Sequence, residues 1–201
     1  AMAGLMPASA KHDLELNNYN IMSNVLIIKT SPRLGGNSDA LADEFARGAA
    51  EAGHMVETVS LTGREVAFCR GCLACQRTHR CVIHDYADEV RQKMHDADVI
   101  VWATPVYYYS VSGQMKTMID RSNPLYGSDY KFRDVYLLAA AAEDEATTVA
   151  GAVTALEGWI SCFERSRLAG VVFAGGVNER GDIAGHASLL KAYEAGRAVG
   201  A

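Results

Sequence analysis

The strongest constraint on the fold of this chain is an alternation of short, continuously apolar runs with amphipathic segments. Val25–Ile28, Val99–Ala103, Val135–Ala142 and Val171–Ala174 are apolar runs, the first of them rich in β-branched residues, and Met55–Leu61 alternates apolar with polar residues. Runs of this length bounded by turn residues read as strands. Between them, Leu41, Phe45 and Ala49 recur at four-residue spacing behind Asn37-Ser38-Asp39, which predicts a helix with a polar cap that ends near Gly53. Helices are also predicted over Asp85–His95, Gly113–Arg121, Thr147–Arg165 and Ala187–Val199. Strands apolar along their whole length are buried on both faces, so the pattern predicts an α/β fold with a doubly wound, five-stranded parallel sheet.

Nothing in the composition opposes this. The chain has 201 residues, 49% hydrophobic and 21% charged, with a formal net charge of −5. That length supports one domain with a full core. A net negative chain does not attract nucleic acid or anionic lipid, and no apolar run reaches the roughly 20 residues of a membrane span. Residues 1–22 lack clear periodicity and a continuous apolar core, so they do not read as a signal peptide. They are expected to be an N-terminal extension, an expression remnant or an arm onto a neighbouring subunit, ahead of one domain over 23–201. A cytoplasmic location is expected.

In open α/β sheets ligands bind beyond the carboxyl ends of the strands. The loop after the first strand is Thr30-Ser31-Pro32-Arg33-Leu34-Gly35-Gly36-Asn37-Ser38. Hydroxyls, a guanidinium and glycines in front of a helix start suit a phosphate. No Gly-Lys-Ser/Thr and no G-x-G-x-x-G is present, and no acidic residue closes strand two to hold a ribose. A terminal phosphate therefore fits better than a pyrophosphate, with an ordinary capped turn as the alternative. The loop after the third strand, Thr104–Gly113, carries Tyr107, Tyr108 and Tyr109. Apolar surface at that edge favours a flat aromatic ligand. The alternative, packing against neighbouring loops or a second subunit, weighs most for Tyr109. Lys116, Asp120 and Arg121 read as a solvated face or an interface pair.

Four of the five cysteines fall within thirteen positions as C-x2-C-x2-C-x5-C (Cys69, Cys72, Cys75, Cys81). Thiolates so spaced can ligate one iron–sulfur cluster. Structural thiols, zinc and disulfides remain open on spacing alone. His79 and His84 flank Cys81 as alternative ligands or surface residues. Asp85 is placed to cap the next helix, and Cys162 is expected to be a core thiol in the helix over 147–165.

The pairing of S-P-R-x-x-G-N-S with T-P-V-Y-Y-Y-S-V-S-G-Q-M-K-T-M-I-D-R, and the tail G-V-N-E-R-G-D-I, resembles the NADPH-dependent FMN reductases of the flavodoxin-like fold. A subgroup with a four-cysteine segment includes the iron–sulfur flavoproteins. The resemblance spans about residues 23–200. It implies strand order 2-1-3-4-5 and FMN as cofactor. The phosphate would be held by Ser31, Arg33, Asn37 and Ser38, and the ring would lie against Pro105, Val106, Tyr107 and Tyr108. Ala141 and Ala142 would form a third loop, in a segment less rich in Gly, Ser and Thr than is common in relatives. It further implies NAD(P)H as transient donor and a quinone, azo or nitro compound, flavin or protein as acceptor. A [4Fe–4S] cluster on Cys69, Cys72, Cys75 and Cys81 would instead make a ferredoxin-linked electron carrier. A homodimer or homotetramer is implied as well. No side chain is assigned as a catalytic acid or base.

Overall fold

The computed structural model describes residues 22–200; the reading of the first 21 residues lies outside them. In chain order the elements are β1 (Asn24–Lys29), α1 (Asn37–Glu51), β2 (Met55–Ser60), α2 (Cys75–Thr78), α3 (Tyr86–Asp96) and β3 (Val99–Pro105). Then come α4 (Gly113–Arg121), a 3-10 turn (Asn123–Leu125), β4 (Asp134–Ala140), α5 (Ala150–Ile160), β5 (Arg167–Ala174) and α6 (Ala187–Arg197). The five strands are all parallel, the doubly wound sheet the pattern predicts, and lie in the order β2-β1-β3-β4-β5 that the resemblance implies.

The three central strands are almost wholly buried, and the two edge strands are not. This explains their different sequence patterns. Strand β2 carries polar residues because it is an edge strand, with Val59 alone buried and Val56 partly so, whereas β3 is continuous because both its faces are covered. One apolar layer, around Ile27, Phe45, Val101 and Leu138, lies under α1 and α6. The other, around Ile28, Met94, Trp102, Met115 and Leu137, lies under α3, α4 and α5. Trp102 is fully buried and meets Trp159 edge-on, and Trp159 stacks on Phe132, so an aromatic cluster fills the second layer.

Several boundaries differ from the sequence reading. The helix expected over 147–165 is only Ala150–Ile160. Beyond it the chain tightens into i−3 turns, with Cys162 N–H donating to Trp159 O and Phe163 N–H to Ile160 O. Phe163 thereby turns in to join Tyr130, Phe132 and Trp159. Cys162 is turned out and exposed rather than being a core thiol. Strand β4 stops at Ala140 instead of Ala142, and β5 begins four residues early, at Arg167. The cap of α1 is Gly36, with Asn37 as the first helical residue. The short helix α2 and the 3-10 turn were not foreseen. Lys116 and Asp120 form the expected exposed pair (2.7 Å), but Arg121 is buried.

Candidate functional site

Loops at the carboxyl ends of β1, β3, β4 and β5 converge on a crevice of about 150 Å³. Its walls include Ser31, Arg33, Asn37, Ser38, Pro105, Val106, Tyr107, Ala141 and Ala142, nine of the ten residues expected at a cofactor. The tenth, Tyr108, is fully exposed and is not among them. Larger hollows exist, including one of about 420 Å³ lined by Asn24, Met55 and Lys93. That one sits at the amino ends of β1 and β2, away from the loops, and has no glycine-rich turn.

The first loop is held by its own polar groups. Ser31 Oγ accepts from Arg33 N–H (3.0 Å) and donates to Arg33 O (2.9 Å), so this hydroxyl shapes the turn. Gly35 adopts φ +66°, a conformation that favours glycine. Its N–H donates to Asp39 Oδ2 (2.9 Å) in the first turn of α1. Helix α1 has no side-chain cap. The N–H groups of Asp39 and Ala40 are taken by Gly36 O, and Gly36, Asn37 and Ser38, at the positive end of the helix dipole, line the crevice. Ser38 Oγ and Asp39 Oδ1 are buried without a hydrogen-bond partner among the described residues. Burial raises the Asp39 carboxyl above its ordinary range, against the opposing pull of Lys29 and the N–H groups of Gly35 and Gly36. A helix start without a side-chain cap, with an orphaned buried hydroxyl beside it, suits a hydrogen-bonding anion.

The loop after β3 faces it. Ser112 joins the two: its Oγ donates to Thr30 O (3.0 Å), accepts from Met115 N–H (3.2 Å) as the cap of α4, and its own N–H donates to Thr104 Oγ1 (3.1 Å). Tyr107 and Ser110 exchange both backbone hydrogen bonds, and Tyr108 (φ +48°) and Tyr109 (φ +61°) occupy the corner between them. Positive φ at both central residues is a type I′ turn, usually made by Asn and Gly. Bulky aromatics there are strained by about 1 kcal/mol or more each. The turn aims Tyr108 outward, while Tyr107 stays on the crevice wall. Gly151 at the start of α5 lies directly under the Tyr109 carbonyl, where no Cβ would fit.

Of the third loop, Ala141 N–H already donates to Ala174 O (2.9 Å), and Ala141 O accepts from Val177 N–H (2.9 Å). The Ala141 amide is therefore not free for a ligand, although the residue still lines the crevice. Sequence reasoning missed the fourth wall, Val177, Asn178 and Arg180 after β5. The signal was available, because G-V-N-E-R-G-D-I is a polar loop at the same sheet edge. Asn37 joins this loop to α1: its Nδ2 donates to Glu179 O (2.9 Å) and its Oδ1 accepts from Gly181 N–H (3.2 Å). Arg33 Nη1 donates to Asn178 O (3.0 Å).

The four clustered cysteines lie to one side. Cys69 and Cys72 are exposed, Cys75 is buried and Cys81 is intermediate. Asn123 Nδ2 donates to Cys75 Sγ (2.9 Å), and Ile83 N–H to Cys81 Sγ (3.4 Å). Among the described residues no three His, Cys, Asp or Glu side chains are gathered to hold a metal ion. His79 Nδ1 is 3.4 Å from Pro124 O, and His84 reaches Asp88. Asp85 caps α3 as expected, its Oδ1 accepting from Ala87 N–H (3.0 Å).

The fold matches solved structures over nearly their whole length. An NAD(P)H:quinone oxidoreductase from Methanothermobacter marburgensis superposes with a TM-score of 0.68 at 17% identity, covering 89% of this chain and 99% of that one. An azoreductase from Bacillus anthracis gives 0.66 at 19% identity, covering 88% and 99%. At these identities the likeness is one of fold. An iron–sulfur flavoprotein of Methanocaldococcus jannaschii is 42% identical over 101 residues, 50% of this chain and 52% of that protein. The chain spans about half the length of the curated relatives it matches. The model of the NADPH-dependent FMN reductases matches residues 23–177, which contain the first three loops of the crevice and the start of the fourth. A match over that much of the sheet and its ligand edge places the chain in the NADPH-dependent FMN reductase family.

Proposed function

We propose that this chain is an FMN-dependent oxidoreductase that takes electrons from NAD(P)H and passes them to a small-molecule acceptor such as a quinone or an azo or nitro compound. The observation that carries this reading is the crevice, polar and cationic at the start of α1 and apolar at Pro105–Tyr107. These residues fit a phosphate monoester at one end and a flat ring at the other. Bound FMN would accept hydride from NAD(P)H and deliver electrons onward. The Ser38 hydroxyl and the first amides of α1 would hold the phosphate, with Arg33 beside them. Ser31 and Asn37 act one step back, by fixing the loop. Pro105, Val106, Tyr107 and Ala142 would line the ring's end of the crevice. No side chain is asked to move a proton.

Purified protein is expected to show a flavin absorption spectrum, or to take up added FMN, and to oxidise NADH or NADPH when a quinone is supplied. Absence of both flavin and FMN uptake would overturn the reading. The second reading, single-electron carriage from ferredoxin through a [4Fe–4S] cluster, is favoured by the C-x2-C-x2-C-x5-C spacing and by the relative's name. The four thiols as placed do not fit a cluster, since no three ligands converge, so no electron step is assigned to it. Iron and acid-labile sulfide in anaerobically purified protein separate the two. About four irons per chain supports the carrier, and less than about one the two-electron reductase.

We also propose a homodimer or homotetramer. Phe68, Leu73, Val82 and Tyr126, around the cysteine segment, and Tyr108 are large and exposed. Apolar groups presented together in this way mark interaction surfaces. Light scattering at micromolar concentration is expected to give a multiple of the 21.6 kDa chain mass, and a clean monomer would count against it. Among the described residues no helix is long and apolar enough to cross a membrane.

A further inference from the structure

We infer that Arg180, on the loop after β5, is a second guanidinium of the phosphate end of the crevice and sets its preference for a flavin carrying a phosphate monoester. This rests on the reading of the crevice as an FMN site. Three observations place Arg180 there. It lines the crevice together with Arg33, Gly36, Asn37 and Ser38. Its guanidinium lies over Gly35, where a Cβ would be 2.9 Å from Arg180 Nη2. Asn37 bonds the residues on either side of it, Glu179 O and Gly181 N–H, so the arginine is carried on a loop fastened to the helix start.

The nearby acids do not neutralise it. Asp182 Oδ2 accepts from the N–H groups of Asn178 (3.0 Å) and Glu179 (2.7 Å), and Glu179 Oε1 accepts from Asn178 Nδ2 (3.0 Å). Both carboxylates are directed into the loop itself. Among the described residues Arg180 makes no ion pair. The charge balance calls for such a cation. A phosphate monoester carries −1.5 to −2 near pH 7, and the buried Asp39 lies in the same helical turn. One helix end and Arg33, partly engaged with Asn178 O, leave a deficit that a planar five-donor guanidinium can meet. A lone amide or hydroxyl cannot.

The test compares Arg180→Gln and Arg180→Lys with the parent, after flavin removal, by fluorescence titration with FMN and with riboflavin. The Gln variant is expected to bind FMN roughly ten- to a hundredfold more weakly and riboflavin as the parent does. Its FMN affinity should also depend less on salt, and Lys should restore part of the loss. Equal losses for both flavins would overturn the inference by making Arg180 a loop-packing residue. Unchanged FMN affinity with lost discrimination between NADPH and NADH would overturn it in favour of the 2′-phosphate of the nicotinamide donor. Failure of the parent protein to bind FMN would instead overturn the underlying reading of the site.

Discussion

Replacing Arg121 by Met is expected to lower stability by about 3–5 kcal/mol, the range for breaking a buried ion pair from one side. The Arg121 side chain is 1% exposed and that of Asp85 13%. Arg121 Nη1 donates to Asp85 Oδ2 (2.7 Å) and Ala67 O (2.8 Å), and Nη2 to Asp85 Oδ1 (2.8 Å) and Ile83 O (2.9 Å). Ala67 and Ile83 bracket the segment from Cys69 to Cys81, so one guanidinium closes the base of the cysteine loop. Methionine fills the volume but leaves the Ala67 and Ile83 carbonyls without their donor and the Asp85 carboxylate without its cation, held only by the N–H groups of Ala67 and Ala87.

The pH dependence has a definite sign. Burial works to raise the Asp85 carboxyl, but the hydrogen bonds and charge of Arg121, with the N–H groups of Ala67 and Ala87, outweigh it and hold the group below its ordinary value. A depressed carboxyl contributes stability that is present above the unfolded pKa of about 3.9 and is lost as pH falls through the folded value. In the variant the carboxyl loses the hydrogen bonds and charge of Arg121, the main forces that depress it, so the gap between variant and parent should narrow below about pH 4. Urea denaturation across pH measures this, and alkylation of the buried Cys75 should be faster in the variant. A loss under about 1 kcal/mol at pH 7 would show that the pair does not hold the loop.

How legible was this in the sequence? The sheet was plain because strand and helix periods differ, and β1, β3 and β4 are apolar along their length. The first crevice loop was legible because hydroxyl, guanidinium and glycine ahead of a helix form a local pattern, and the loop after β3 because three tyrosines follow a buried strand. What escaped depends on partners distant in sequence. Arg121 reads as a surface charge in its own helix, since nothing nearby shows that residues 67, 83 and 85 enclose it. Asn37 reads as a ligand until Glu179 and Gly181, more than 140 positions away, occupy its amide. Cys162 reads as a core thiol from spacing alone, whereas the i−3 turns that expose it follow from where Phe163 must pack.

Gly48→Ala is expected to lower stability by about 2 kcal/mol, against the sign that helix propensity gives. In an open helix interior Gly→Ala gains roughly 1 kcal/mol. A Cβ at Gly48, however, would run into the Tyr193 carbonyl oxygen, and one at Gly196 into that of Phe45. Both obstacles are backbone, so α1 and α6 must separate, and overpacking of this kind costs typically 1–3 kcal/mol. Gly158→Ala on α5, where a Cβ would meet nothing, serves as the control and should stabilise by roughly 0.5–1 kcal/mol. The glycine crossing also bears on function. Helix α1 begins at the phosphate loop and α6 follows the Arg180 loop, so separating them pulls on the Asn37 bonds to Glu179 and Gly181. FMN affinity in Gly48→Ala should therefore fall about tenfold, while Gly158→Ala leaves it intact. Denaturation and flavin titration on the two variants decide the matter, and a Gly48→Ala protein as stable as Gly158→Ala would show that the helices yield without loss.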